Sequence, residues 1–166
     1  EVIVSGHTST DPDAQLREAE AMMCEGISAY VVLPNRFADA GESDDVLLER
    51  MQKFADRCEG IPLGIYECPY PYKRTVSPKV LKWCADSGKF LFLKDTCSDP
   101  AQIAEKLAIA KGSGLKLFNA NTATLLESLR GGAAGFSGVM GNFHPELYVW
   151  LCQNYRKHPE TAQKLQ

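Results

Sequence analysis

A lysine ends one of the most apolar runs in the chain: Phe90-Leu91-Phe92-Leu93 leads straight into Lys94. Side chains alternate along a strand, so Phe90, Phe92 and Lys94 are expected on one face. A charged ammonium at the end of a buried strand is costly. Desolvation there favours the neutral amine. A neutral amine can attack a ketone and form an imine. The competing reading is a lysine already clear of the sheet and paired with Asp95. Tyr66 ends a second apolar run, Leu63-Gly64-Ile65, 28 residues earlier. Its phenol can relay a proton between an amine, a carbinolamine oxygen and a substrate. Taken alone, it reads equally as a strand-end tyrosine that packs its ring and wets its hydroxyl.

Other polar groups stand at equivalent run ends. Tyr70-Pro71-Tyr72-Lys73-Arg74 sets two aromatics and two cations in one loop. Lys73 and Arg74 could grip an anionic substrate there, or the loop is a Pro-stiffened surface segment with solvated charges. Asn119 and Asn121 follow the fifth run, where they could bind a polar substrate tail or serve as turn and cap residues. The glycines at 135, 138 and 141 could bring backbone amides close to an anion, as loops after late barrel strands do for phosphate. They fit equally as small residues at a crowded barrel end, and their spacing is wrong for a dinucleotide fingerprint.

These residues must be held by a regular scaffold. Six short β-prone runs begin near residues 2, 29, 63, 90, 115 and 133. They do not alternate clearly, as expected of parallel strands buried on both faces. Amphipathic stretches separate them: Ala14–Cys24, Val46–Cys58, Pro78 to about Ala85, Ala101–Ala110, Ala123–Arg130 and Leu147–Gln153. Thr8 to Asp13, Ser43, Ser77, Ser98-Asp99 and Thr122 supply start signals, and Pro78, Pro100 and Pro145 stand at first helical positions. Gly26, Gly60, Gly88, Gly112 and Gly131 supply stops. The result is a βα unit repeated six times. An open doubly wound sheet would give the same local pattern. Short connections before strands, and long polar ones after them at Pro34–Ser43 and Glu67–Val76, favour an α/β (β/α)8 TIM barrel. The expectation is a single domain over residues 1–166, an incomplete portion of that barrel with about six βα units.

Composition narrows the class. Hydrophobic residues make up 45% and charged residues 23%, as in an ordinary globular domain. The formal net charge of −3 disfavours a nucleic-acid surface. No apolar run approaches the ~18 residues of a membrane span. The six cysteines, at 24, 58, 68, 84, 97 and 152, include no Cys-x-x-Cys pair, and His7, His144 and His158 are scattered. This spacing predicts no metal site and no disulfide framework, but reduced thiols in a cytoplasmic protein.

Several motifs carry a resemblance. Gly64-Ile65-Tyr66-Glu67-Cys68-Pro69 resembles the Tyr-x-x-Pro strand end of the dihydrodipicolinate synthase/N-acetylneuraminate lyase family. Phe92-Leu93-Lys94-Asp95-Thr96 resembles the strand end that carries its Schiff-base lysine. Val2-Ile3-Val4-Ser5-Gly6 is similar to its third strand, and Ala134 through Asn142 to its eighth strand and following loop. The resemblance implies units three to eight, with the first two units and a C-terminal extension missing. It implies a lyase, an aldolase or hydro-lyase without cofactor, that joins or splits a carbon–carbon bond between pyruvate or a related 2-oxo acid and an aldehyde or sugar acid. Lys94 would be the nucleophile and Tyr66 the proton relay, with backbone at Ser137 and Gly138 lining the oxo-acid end. It further implies a homo-oligomer, tetramer or dimer. Three departures stand out, one being that Pro71 stands near the position of an arginine that follows the Tyr-x-x-Pro motif in dihydrodipicolinate synthases, with Lys73 and Arg74 close by. The family's carboxylate-binding Gly-Thr-Thr-Gly-Glu signature precedes the first residue here. Arg36, within Leu33-Pro34-Asn35-Arg36-Phe37, stands near the position of a tyrosine that often completes the family's relay. The alternatives are a catalytically incomplete fragment, or a sugar-phosphate-binding barrel that holds phosphate at the glycine cluster.

Overall fold

The computed structural model describes residues 2–6, 9–24 and 26–166. His7 and Thr8, named above as a non-ligand histidine and a start signal, lie outside them. Six strands alternate with helices: β1 (Val2–Ser5), α1 (Pro12–Met22), β2 (Ile27–Val32), α2 (Asp44–Arg57), β3 (Leu63–Tyr66), α3 (Pro78–Ser87), β4 (Phe90–Asp95), α4 (Pro100–Ala110), β5 (Lys116–Asn119), α5 (Leu125–Gly131) and β6 (Gly135–Phe136). Two further helices follow, α6 (Pro145–Asn154) and α7 (Pro159–Leu165). α7 was not expected. Its start, His158-Pro159-Glu160, repeats the His144-Pro145-Glu146 signal that opens α6.

Sequence periodicity left barrel and doubly wound sheet open, and strand order separates them. The strands pair in parallel in the order β1-β2-β3-β4-β5-β6. A doubly wound sheet reverses its order at a switch point and so receives helices on both faces. Here the order never reverses, and right-handed crossovers place every helix on the same face. The sheet is an arc of a barrel.

Helix starts follow from side-chain capping. Asp11, Ser43, Ser77 and Asp99 accept hydrogen bonds from the backbone N–H groups of Ala14, Val46, Val80 and Ala101, respectively. The stop of α5 differs from expectation. Gly131 is its last helical residue, and Gly132, with φ +109°, is the cap.

The convex face of the sheet forms the main core. Tyr30, Val32, Leu63, Ile65, Leu93 and Leu117 pack against Leu47, Met51 and Phe54 of α2, Val80 and Leu81 of α3, and Ile103 of α4. A second cluster joins α5, α6 and α7 through Leu125, Leu126, Leu129, Leu151 and Ala162. The concave face presents Tyr66, Phe92, Lys94, Phe118 and Phe136 to one open cavity. Phe90 does not share that face with Phe92 and Lys94. The β3–β4 register runs Leu63↔Phe90 and then Gly64↔Phe92, so Leu91 is an extra residue in β4. This bulge reverses the alternation. Phe90 turns outward, 2% exposed, with its ring edge-on to Trp83 at 5.4 Å between centroids.

Gly64 is required beside the bulge. A Cβ there would lie 2.2 Å from the Phe92 ring. Gly64→Ala is expected to lower unfolding stability by about 1–3 kcal/mol, the usual cost of overpacking. Adding Phe92→Leu should recover part of that loss. Urea denaturation of both variants checks this, and equal midpoints for wild type and Gly64→Ala would contradict it.

Candidate active site

Parallel register places Tyr66 directly beside Lys94, and Lys94 beside Phe118. All three side chains enter the concave cavity, of about 680 Å³, which Ser5, Phe136 and Ser137 also line. Lys94 Nζ lies 4.2 Å from the centroid of the Tyr66 ring. The Phe92 and Phe118 rings meet edge to face at 6.2 Å in the same cavity. Lys94 is half-buried, and this burial lowers its pKa. Among the described residues it forms no ion pair. The partnership with Asp95 weighed from the sequence does not form: Asp95 faces the helices, where its carboxylate bonds Lys106 and Cys97.

Tyr66 shifts the other way. Burial first, and then the neighbouring Cys68, hold its phenol above the usual tyrosine range. The site therefore pairs an amine that loses its proton easily with a hydroxyl that keeps its own. Cys68 also acts on Lys94, opposing the effect of burial. Sequence reading placed Cys68 in the Tyr-x-x-Pro motif and among the six reduced thiols, with no role at the site. Its position two residues after Tyr66, on the same side of an extended segment, was the available signal.

The remaining sequence candidates divide. Ser137 lines the cavity, and its backbone N–H donates to the Asn119 carbonyl at 2.8 Å. Gly138 begins the 3-10 turn Val139–Asn142, where a Cβ would lie 2.4 Å from the Ala120 carbonyl oxygen. That backbone approach admits only glycine. Gly138 itself does not line the cavity. Asn119 is fully buried and faces the helices. Its amide donates to Thr124 Oγ1 and Ser128 Oγ, and its Oδ1 accepts from the Asn121 N–H. It secures the β5–α5 loop and has no group left for a substrate. Arg74 is likewise committed. Its guanidinium donates to the carbonyls of Asp39 and Glu42 and pairs with Asp44 at 3.1 Å. Lys73 is exposed and donates to the Thr96 carbonyl, bridging the loops after β3 and β4 outside the cavity.

Two further groups organise the mouth, and the sequence reading passed over both. Asn35 is 4% exposed, and its Nδ2 lies 2.7–3.0 Å from the carbonyl oxygens of Cys68, Tyr70 and Tyr72. It locks the β3–α3 loop to the segment after β2. The second group is a buried trio behind the site. Lys106 Nζ of α4 lies 2.5 Å from both Glu67 Oε1 and Asp95 Oδ2. Lys106 occupies a core-facing helical position with Ile103 and Ala110, a spacing that could have marked it.

Comparison with known proteins agrees with this geometry. No family model matches the chain. It is 27% identical to 4-hydroxy-tetrahydrodipicolinate synthase of Clostridium perfringens over 95 residues, 57% of this chain and 32% of the relative. A prophage protein of the dihydrodipicolinic acid synthase family from E. coli K12, solved in complex with pyruvate, superposes with a TM-score of 0.83 and 21% identity. The match covers 99% of this chain and 55% of that protein. The 2-keto 3-deoxygluconate aldolase from Picrophilus torridus gives 0.81 and 21%, over 98% and 57% of the two chains. Sequence and structural neighbours point the same way. Both point to the dihydrodipicolinate synthase/N-acetylneuraminate lyase family, and the chain shares part of that fold. It spans about half the length of the solved family structures it matches and corresponds to a portion of their barrel. Its named relatives are a synthase and an aldolase.

The Asn35 lock generates a prediction for the mouth. Asn35→Ala strands three carbonyls and is expected to cost about 1–3 kcal/mol, the penalty for unsatisfied buried polar groups. Proteolytic nicking within residues 68–74 should accelerate in this variant relative to wild type. Unchanged nicking, followed by mass spectrometry of the fragments, would contradict the assigned lock.

Proposed function

We propose that this chain carries the imine-forming centre of a lyase or aldolase acting on pyruvate or a related 2-oxo acid. The supporting observation is the Lys94 amine, 4.2 Å above the Tyr66 ring, in an open cavity. A structural neighbour that holds pyruvate, and another named as a 2-keto-sugar-acid aldolase, support the substrate class.

The chemistry follows from the two protonation states. Neutral Lys94 attacks the ketone carbon of the oxo acid, and the carbonyl oxygen takes up a proton to give a carbinolamine. Tyr66, held protonated, donates the proton that lets this hydroxyl depart as water. The protonated imine then withdraws electrons from the adjacent carbon. The Tyr66 phenolate takes a proton from that carbon to give an enamine, which adds to an aldehyde to make a carbon–carbon bond as Tyr66 passes the proton to the aldehyde oxygen. The reverse sequence cleaves one. Water releases the product and restores the amine. Ser137, at the cavity wall, is positioned for the oxo-acid end.

Borohydride trapping with pyruvate, followed by peptide mass analysis, tests this reading on the chain and on one extended to eight βα units. A reduced adduct on Lys94 is expected. Lys94→Ala should abolish it, as should Lys94→Arg, because a guanidinium does not act as a free amine. Retained pyruvate-dependent turnover in either variant defeats the assignment. An adduct on the extended chain alone would mean that this portion is catalytically incomplete. Tyr66→Phe should keep the fold and slow turnover about a hundredfold, within the range of general acid–base catalysis.

The pH dependence has a definite sign. The reactive species is the neutral amine, and burial lowers the pKa of Lys94. Adduct formation should therefore rise with pH and level off below the ordinary lysine value of about 10.4. A rise that continues through that value would contradict a desolvated amine.

A further inference from the structure

The mechanism above leaves the buried trio behind the sheet unused. Lys106 and Asp95 together with Glu67 are among the most enclosed charged side chains of the described residues, between 0% and 2% exposed. All hydrogen bonds to the two carboxylates come from donors. Glu67 Oε1 accepts from Lys106 and from the Val76 N–H at 2.7 Å, and Oε2 accepts from the Thr96 N–H at 2.7 Å. Asp95 Oδ2 accepts from Lys106, and Oδ1 accepts from the backbone N–H and thiol of Cys97. Two acceptor carboxylates thus share one ammonium. Buried ion groups of this kind seldom add stability beyond what an apolar replacement would give. Their retention here calls for a geometric reason.

Position supplies one. Glu67 follows Tyr66, and Asp95 follows Lys94. Alternation sends Tyr66 and Lys94 to the cavity and sends Glu67 and Asp95 to the helix side. The ladder is weak at this point. A backbone bond from Glu67 N to Lys94 O, at 3.3 Å, spans the two ends, supplemented by the Thr96 hydroxyl on the Glu67 carbonyl at 2.8 Å. Lys106 adds a side-chain bridge between Glu67 and Asp95, at the same two strand ends, from a third element.

We propose that Lys106 is a positioning residue: by bridging Glu67 and Asp95 it fixes the separation of the β3 and β4 ends, and so holds the Lys94 amine over the Tyr66 ring. Its consequence for the reaction rests on the imine-forming reading above. Its consequence for geometry does not. A displaced amine would lose its aromatic neighbour whether or not it forms imines.

The test uses both readouts on the intact chain. Reductive methylation with carbon-13 formaldehyde labels Lys94, and Lys94→Arg identifies its methyl signal. The Tyr66 ring should shift that signal upfield in wild type. Glu67→Leu removes one arm and leaves Lys106 paired with Asp95. The triple variant Lys106→Met, Glu67→Gln, Asp95→Asn removes all three charges and leaves no unpaired one behind. In folded variants the Lys94 signal is expected to move towards that of an exposed lysine. Lys94 adduct formation with pyruvate should fall by about tenfold or more, the scale on which misplaced reacting groups lose rate. An unchanged methyl signal and trapping rate in either folded variant overturns the proposal, as does failure of both variants to fold, which would assign the trio to folding alone. A displaced signal with no pyruvate adduct even in wild type would support the positioning role and defeat the imine reading.

Discussion

Everything at the candidate site depends on the parallel register that sets Tyr66 beside Lys94. Parallel strands offer only slanted, evenly spaced backbone bonds, and a slip by one residue would send each side chain to the opposite face. The bulge at Leu91 makes that constraint concrete. Phe90 packs outward on Trp83, yet two residues later Phe92 packs inward on Phe118. Without the extra residue, one of those rings would face the wrong layer. The bulge also places Phe92 opposite Gly64, which leaves room for the ring.

Chemistry and structure are divided between the two faces of the same strand ends. Lys94 faces the cavity without an ionic partner, while Asp95, its neighbour in sequence, is closed off among hydrogen-bond donors. Asn119 lies next to Asp95 in register and is equally buried on the helix side, where it organises the β5–α5 loop. Asp95 and Asn119 on the convex face are therefore saturated by the protein itself. Lys94 and Tyr66 on the concave face open onto the cavity. Burial acts in opposite directions on the two half-buried candidates, down for the Lys94 amine and up for the Tyr66 phenol, because their charged forms have opposite relations to the proton.

The scaffold was largely legible in the sequence because it is written in local signals. Asp11, Ser43, Ser77 and Asp99 cap helices where their types suggest, and the strands begin within two residues of the expected positions. The placement of Lys94 and Tyr66 at neighbouring strand ends was also legible, since both follow apolar runs one unit apart. Strand order was not, because a βα repeat does not state where the next strand docks. The roles of Arg74 and Asn119 were also hidden. Their types suit substrate binding, but three-dimensional neighbours such as Asp44 and Ser128 consume their donors. Asn35 escaped notice for the same reason, since its three carbonyl partners lie more than thirty residues away.

The mouth is consequently more rigid than its loop composition suggests. Tyr70-Pro71-Tyr72-Lys73-Arg74 looks like a mobile, cationic cover, yet Asn35 holds its backbone, the Tyr72 hydroxyl donates to the Asn35 carbonyl, and Arg74 is tied to the loop before α2. Tyr70, Pro71 and Lys73 remain exposed, Tyr70 at 74%. A loop fixed at so many points cannot close over a ligand by swinging as a unit without breaking buried hydrogen bonds, each costly to leave unmade. The side chains that face the cavity include those of Tyr66, Lys94 and Ser137, and not those of Lys73 and Arg74, the cations that first suggested an anion grip.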